Sequence, residues 1–301
     1  MILVVGATGE LGGRIVRALT DRGETVRALV RRPEQFDSVR ATGAEPVLGD
    51  LRDAASLLAA CQNVDAVVTT ATAAAEGSAE AVEAVDLRGN LDLVDAAENA
   101  GVRRFLFVSA LGAAPDHPDP FMRAKGTVEQ RLSSSTMVWT VLQSDLFMDR
   151  LPLLVVGLPA LSGRTVMLVG EGSRLHSLVA TRDVAAYAVA ALSDPTAAGK
   201  TLRVGGPEPL SWRDVVAAFA HELGREVPVR MVPAGETLPG VPDVIEPLLA
   251  ALETYDSPLE MTAMARAYAV RPTPLAEIVH EFVTTPAIGP TEGTSHNVAV
   301  S

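Results

Sequence analysis

Gly6, Gly9 and Gly12 stand three residues apart in VVGATGELGG, residues 4–13. A residue without a Cβ lets the backbone turn tightly and lets a pyrophosphate approach the amides. A helix starting at that point aims its first N–H groups and its dipole at the same anion. The apolar run before the glycines and the helix-like stretch after them supply this context. A tight strand–helix turn without any ligand also uses glycine. The ordered elements that follow weigh toward dinucleotide binding, with Gly6, Thr8, Gly9, Glu10, Leu11 and Gly12 as the phosphate loop.

The end of the second apolar run selects between cofactors. An Asp or Glu there holds the ribose 2′-hydroxyl of NAD, and an Arg accommodates the 2′-phosphate of NADP. This chain has RALVRRPEQF over 27–36, with Arg31 and Arg32 at the run's end and no acid. A guanidinium fork suits a phosphate; the bland alternative is a pair of solvated loop arginines. The expectation is NADP(H) in preference to NAD(H). Asp50 and Leu51 follow the third run. Asp50 either accepts from the adenine amino group or caps the helix that begins near Asp53. Thr70 and Ala71 follow the fourth run, small enough to let the backbone pass close to the nicotinamide-side ribose.

The elements that must position these residues alternate. Ile2–Val5, Thr25–Val30, Glu45–Leu48, Ala66–Thr70, Arg104–Ser109 and Val138–Leu142 read as strands, several apolar throughout and so buried on both faces. Between them a helix carries Leu11, Ile15, Ala18 and Leu19 and stops at Gly23. Asp53–Cys61 and Ala81–Ala100 read as helices too, the latter closed by Gly101. This is an α/β fold, a doubly wound parallel sheet with helices on both sides. Asp183–Ser193 and Trp212–Leu223 read as helices, Thr201–Val204 as a strand, and a last helix ends near Val283. The expected division is a nucleotide domain of 1–144 plus 181–204, an interleaved small substrate lobe of 145–180 plus 205–283, and a loose tail, 284–301.

Composition narrows the class. The 301 residues suffice for a sizeable core, and 48% are hydrophobic. A net charge of −12 argues against broad binding to a nucleic acid backbone. The single cysteine, Cys61, excludes an intrachain disulfide and a thiolate metal cluster. His117, His176, His221, His280 and His296 show no ligand spacing, so no metal is expected. No apolar run reaches membrane-spanning length, and no signal peptide opens the chain. The expected protein is cytoplasmic, a monomer or homodimer, with a small-molecule substrate and neither nucleic acid nor membrane as partner.

VVGATGELGGRIVRALTDRGETVRALVR resembles the opening of the atypical short-chain dehydrogenases of the NmrA-like type. GDLRD, AENAGVRRFLFVSALGA, LQSDLFMDRL, GEGSRLHSLVATRDVAAYAVAAL and LRVGGPEPLSWRDV continue the likeness over roughly residues 1–225, with weaker similarity to about 283. The resemblance implies a Rossmann-type NAD(P) domain with a small C-terminal substrate lobe. It includes reductases of quinones and phenylpropanoids, and members that bind nucleotide without known turnover.

The resemblance also implies a catalytic set. Relatives with full dehydrogenase activity pair a serine after the fifth strand with Tyr-x-x-x-Lys on the next helix. The serine polarises a carbonyl, the phenol passes the proton, and the lysine holds the ribose and lowers the phenol's pKa. Here Ser109 and Lys125 match, but Phe121 stands where the tyrosine belongs. A benzene ring has no exchangeable proton. Lys125, one of only two lysines in the chain, is expected to bind the ribose; the alternative is a surface lysine. Ser109 polarises the acceptor or merely caps a turn. His117 can replace the phenol as acid or simply be solvated. Phe147 and Met148 shape an apolar pocket or pack the core, and His176 is a candidate substrate contact. Gln143–Ser144 departs from the Arg-Pro often found there. The reading is an NADPH-dependent oxidoreductase acting on an apolar quinone- or enone-like acceptor with a Tyr-less active site. Alternatives are an NADP(H)-sensing binding protein without turnover, or an isomerase or dehydratase on the same scaffold.

Overall fold

The computed structural model describes residues 1–285, so the residues expected to form the loose tail lie, from 286 onward, outside the described part. The chain forms two compact units. Among the described residues the first comprises 1–144 and 184–204; the second comprises 145–183 and 205–285.

The first unit is built on seven parallel strands. They are β1 (Ile2–Val5), β2 (Val26–Val30), β3 (Glu45–Leu48), β4 (Ala66–Thr69), β5 (Arg104–Ala110), β6 (Val138–Ser144) and, after the edge strand β7 of the other unit (Val166–Val169), β8 (Lys200–Val204). Their order across the sheet is β3-β2-β1-β4-β5-β6-β8. The order reverses direction between β1 and β4, which pair Val5 with Thr69. In open α/β sheets ligands settle at such a switch point, outside the carboxyl ends of the strands. Gly6, Arg31, Gly49, Thr70 and Leu111 all follow strand ends on that one edge.

The connecting helices are α1 (Glu10–Thr20), α2 (Phe36–Arg40), α3 (Ala54–Ala60), the single turn α4 (Ala79–Ala81), α5 (Asn90–Asn99) and α6 (Pro120–Ser133). Gly23 and Gly101 take φ of +79° and +74° just past α1 and α5, the left-handed stop that glycine permits. The helix expected over 81–100 is interrupted. Val82–Gly89 winds in wide π-type turns before α5 begins. The Asn90 amide donates to the Val85 and Asp86 carbonyls at 2.9 and 3.4 Å, while its oxygen accepts from the Thr69 hydroxyl at 3.1 Å. Such widened turns recur at functional sites. Leu3, Leu57, Leu93, Phe105, Phe107, Val128 and Leu132 anchor this unit's core.

The second unit holds the parallel pair β7 and β9 (Val229–Val232), joined from Val166–Val229 to Val169–Val232. Neither strand is evident in the sequence pattern. Its helices include α7 (Leu158–Leu161), α9 (Trp212–Leu223), α10 (Glu246–Leu252), α11 (Thr262–Ala267) and α12 (Leu275–Thr284); α8 (Thr181–Ser193) runs out of it into the first unit. Ser211 and Asp214 cap α9 reciprocally, a capping box that fixes where it starts. Val155, Val156, Trp212, Phe219, Leu249 and Ile278 form its separate core. No described helix is long and apolar enough to cross a membrane.

Candidate cofactor and active site

The glycine loop closes tightly on the end of β4. Gly6 adopts φ +83°, a conformation that suits glycine. A Cβ on Gly6 would lie 2.6 Å from Thr70 Oγ1 and 3.0 Å from the Ala71 nitrogen; one on Gly12 would lie 2.1 Å from the Gly6 carbonyl oxygen. Gly9 precedes α1 and has no side chain to cap it. The N–H groups of Glu10, Leu11 and Gly12 at the helix start therefore meet no side-chain acceptor, and the positive end of the dipole is open. This arrangement fits the pyrophosphate of a nicotinamide dinucleotide. Leu11 itself is buried in the core, so its contribution to such a ligand is its backbone alone. Thr8 is exposed on the loop.

Arg31 and Arg32 are exposed just past β2, and neither forms an ion pair with another described residue. Asp50 is gripped by Arg52, whose backbone N–H, Nε and Nη2 donate to it at 2.9, 3.0 and 2.8 Å. These bonds hold its carboxyl below the usual range, with a smaller pull from Arg31 nearby. The helix-cap alternative for Asp50 is overturned. Asp53 caps α3, accepting from the Ala55 and Ser56 N–H groups at 3.1 and 3.4 Å. Leu51 lies in the core beneath Gly89, whose Cβ would stand 2.8 Å from that of Leu51. Its side chain is packing; only its backbone can meet a ligand.

Lys125 is no surface lysine. It is 3% exposed, and its Nζ pairs with Asp86 Oδ1 at 3.1 Å. The same ammonium lies 3.5 Å from the Ala71 carbonyl oxygen, and 5.1 and 5.4 Å from the Phe107 and Phe121 ring centroids. Asp86, fully buried on the π-type segment, also accepts from the Ala73 N–H at 2.9 Å. Asp119 caps α6 by accepting from Met122 N–H at 2.9 Å, and Pro120 opens the helix. Gly126 lets the preceding loop lie on α6, since a Cβ there would be 2.2 Å from the Ala114 carbonyl carbon. Lys125 is thereby held beside the residues that follow β4.

Ser109 is not a turn cap. It lies within β5, and its hydroxyl donates to Glu129 Oε1 in a very short contact. Gln143, its register partner on β6, donates through Nε2 to both Glu129 oxygens at 3.0 and 2.9 Å. Burial pushes the Glu129 carboxyl up, against the downward pull of the Ser109 and Gln143 hydrogen bonds and the Lys125 charge. His117 is half-buried, and its Nδ1 accepts from Asp119 N–H at 3.0 Å. A neutral His117 therefore carries its proton on Nε2. Asp86, Glu129 and Asn90 were absent from the sequence reading. Glu129 had a signal, since it follows Lys125 by one helical turn on α6; Asp86 had none.

Within the second unit the substrate-contact reading of His176 is overturned. It is 2% exposed, its Nε2 meets the Leu252 carbonyl at 3.1 Å, and its Nδ1 meets Ser257 Oγ at 2.8 Å. Ser257 Oγ in turn lies 2.9 Å from Asp145, which also accepts from the Ser177 N–H at 2.8 Å. The ring ties the loops around β7 together and has no free nitrogen for a ligand. Met148 is fully buried in that unit's core, so it packs rather than lines a pocket. Phe147 is half-buried, its backbone bridged to Val179. Among the described residues no group of three metal-ligating side chains comes together.

A family model described as NAD(P)H-binding matches residues 6–195. The NAD(P)H azoreductase of Xenophilus azovorans is 36% identical over 232 residues, 77% of this chain and 76% of that protein. Photosystem II assembly factor Ycf39 of Synechocystis is 33% identical over 232 residues, covering 77% and 70%. The NADPH-dependent quinone oxidoreductase QOR2 of Escherichia coli, solved in complex with NADPH, superposes with a TM-score of 0.79 at 21% identity. That match covers 94% of this chain and 100% of the other, and it is a likeness of fold. With its glycine cradle, seven-stranded parallel sheet and buried lysine, the chain belongs to the NAD(P)H-binding family.

Proposed function

We propose that the protein is an NADPH-dependent oxidoreductase that reduces an apolar, quinone- or enone-like acceptor in an active site without tyrosine. The observation that carries this reading is the uncapped start of α1 above a loop with no room for a Cβ at Gly6 or Gly12, with Arg31 and Arg32 exposed at the end of β2. The glycine loop would hold the pyrophosphate, Arg31 the 2′-phosphate, and Lys125 the nicotinamide ribose. The cofactor supplies the hydride. Conjugated acceptors suit a site lacking a phenol, because hydride addition leaves a delocalised enolate or quinol anion that is easily protonated. A relative at 36% identity, an NAD(P)H azoreductase, supports the reductase reading. Anaerobic loss of NADPH absorbance across a panel of quinones, enones and azo compounds tests the proposal. No consumption with any of them defeats it.

Cofactor choice has its own test. Arg31→Ala is expected to weaken NADPH binding roughly 10–100-fold, the loss of one charge-assisted phosphate contact of about 1.5–3 kcal/mol. NADH affinity should stay within about twofold. Fluorescence titration with both cofactors measures it, and equal losses for both would remove Arg31 from the 2′-phosphate.

Two observations favour a second reading, an NADP(H)-sensing binding protein. Phe121 removes the usual proton donor, and a relative at 33% identity is named an assembly factor. Tight NADPH binding with no turnover, unaltered in Lys125→Ala, would select it.

A further inference from the structure

The network beneath α6 bears on the question Phe121 raises, namely where a proton comes from. Glu129 Oε1 lies between the Ser109 hydroxyl and the Gln143 amide, and the same amide nitrogen also reaches Oε2. When Glu129 is ionised, both neighbours donate to it. The Ser109 proton is then committed inward, and Ser109 can only accept from a ligand. When Glu129 is neutral, its own O–H donates to Ser109 Oγ, and Gln143 keeps its bond to Oε2. The Ser109 proton is then free to point at an acceptor. Because Gln143 reaches both oxygens, the network survives either state without moving.

The geometry points to Glu129 as the proton reserve of this site. Its protonation decides whether Ser109 donates to a bound acceptor, and it refills the Ser109 hydroxyl once that proton has left. Glu129 is therefore a positioning residue that acts through Ser109. The inference rests on the reductase reading. In the step, hydride from the nicotinamide cofactor forms a bond to the electrophilic carbon, and the π pair moves to the acceptor oxygen. The Ser109 O–H bond breaks as a new O–H forms on that oxygen. The Glu129 O–H bond breaks as its proton moves to Ser109 Oγ. Glu129 is left as a carboxylate, and water returns its proton before the next turnover.

The surroundings are consistent with a neutral acid being retained. Burial outweighs the hydrogen bonds and raises the Glu129 carboxyl. The one charge acting on it is Lys125, a turn earlier on α6, and that charge is matched by Asp86 on the π-type segment. Asp95 and Glu98 on α5 are engaged elsewhere, by Arg131. Gln143 and Ser109, from β6 and β5, are neutral.

Two measurements on the full-length protein decide it, one of which needs no turnover. Infrared titration of the cofactor-free protein should show a protonated-carboxyl C=O band persisting above the pH at which ordinary glutamates ionise. The band should vanish in Glu129→Gln and shift in Ser109→Ala. Since the folded state holds this proton more tightly than the unfolded chain, stability should fall as pH rises through that transition. Glu129→Gln should flatten the fall. In turnover with NADPH and a quinone, wild-type kcat should fall about tenfold per pH unit above the transition. Glu129→Gln should lower kcat roughly 100-fold, with KM unchanged and the pH limb gone. Adding Glu129→Gln to Ser109→Ala should cost nothing further. Absence of the infrared band, a wild-type pH profile in Glu129→Gln, or additive losses in the double variant overturns the assignment of Glu129. A wild type that consumes no NADPH overturns the reductase reading and the transfer step with it, while the band still reports on Glu129 alone.

Discussion

Gly12→Ala is expected to raise the Kd for NADPH by about 100-fold or more and to lower the melting temperature. The added Cβ would sit 2.1 Å from the Gly6 carbonyl oxygen. That atom belongs to the backbone and cannot rotate away, so α1 must lift off the loop. Overpacking of this kind costs about 1–3 kcal/mol of stability. The larger effect is on binding. Lifting α1 displaces the three N–H groups that fit the pyrophosphate, and hydrogen bonds to a charged ligand weaken steeply with misplacement. Gly13→Ala is the control. Its Cβ would meet its nearest neighbour, the Ala7 carbonyl oxygen, at 3.4 Å, an ordinary contact. Alanine also favours a helix interior over glycine by about 1 kcal/mol. Gly13→Ala should therefore bind NADPH as wild type does and melt no lower. Calorimetric titration and thermal unfolding of the two variants side by side make the comparison. Equal binding by both would show that the cradle does not hold the cofactor.

Lys125→Met should destabilise the protein by about 3–5 kcal/mol, the usual consequence of stripping one partner from a buried ion pair. Asp86 is fully buried and would lose its cationic partner while keeping the Ala73 N–H. Replacing both residues, Lys125→Met with Asp86→Leu, should restore most of the loss, because apolar side chains of similar size replace buried pairs at little net cost. NADPH binding should not return in the double variant if the ammonium holds the ribose. Urea unfolding followed at equilibrium separates these outcomes. A single variant as stable as wild type would mean that the pair is not the element that seats Lys125. The rings of Phe107 and Phe121 flank this ammonium. Phe121 thus keeps the aromatic wall of the absent tyrosine while giving up its proton.

The parallel sheet was legible because its strands are short, apolar runs bounded by glycine and by helical periodicity. Each expected strand of the first unit is present within two residues of its expected ends, β6 running on to Ser144. The cradle was legible for a related reason. Glycine spacing reports directly on where a Cβ does not fit. The acids were harder. Asp86 lies in a stretch that reads as ordinary helix, and the widening at Val82–Gly89, beside which the Asn90 side chain bonds across the turn, is encoded by no local pattern. Lys125 was recognised by position, but its buried pairing with Asp86 was not, because that partner is distant in sequence. His176 and Met148 show the converse. Their types suggested contact with a ligand, but tertiary packing gave one of them two internal partners and the other a core position.

The interleaving of the two units constrains the order in which the molecule can be completed. β6 ends at Ser144, and its neighbour β8 runs from Lys200 to Val204, pairing Thr140 with Lys200 and Ser144 with Val204. During vectorial synthesis the ribosome must release residues 145–199 before that edge can be sealed. Until then β6 presents a row of unpaired amide and carbonyl groups, the template along which nascent chains stick to one another. A truncation at Ser144, however natural a boundary it looks, would make this transient exposure permanent.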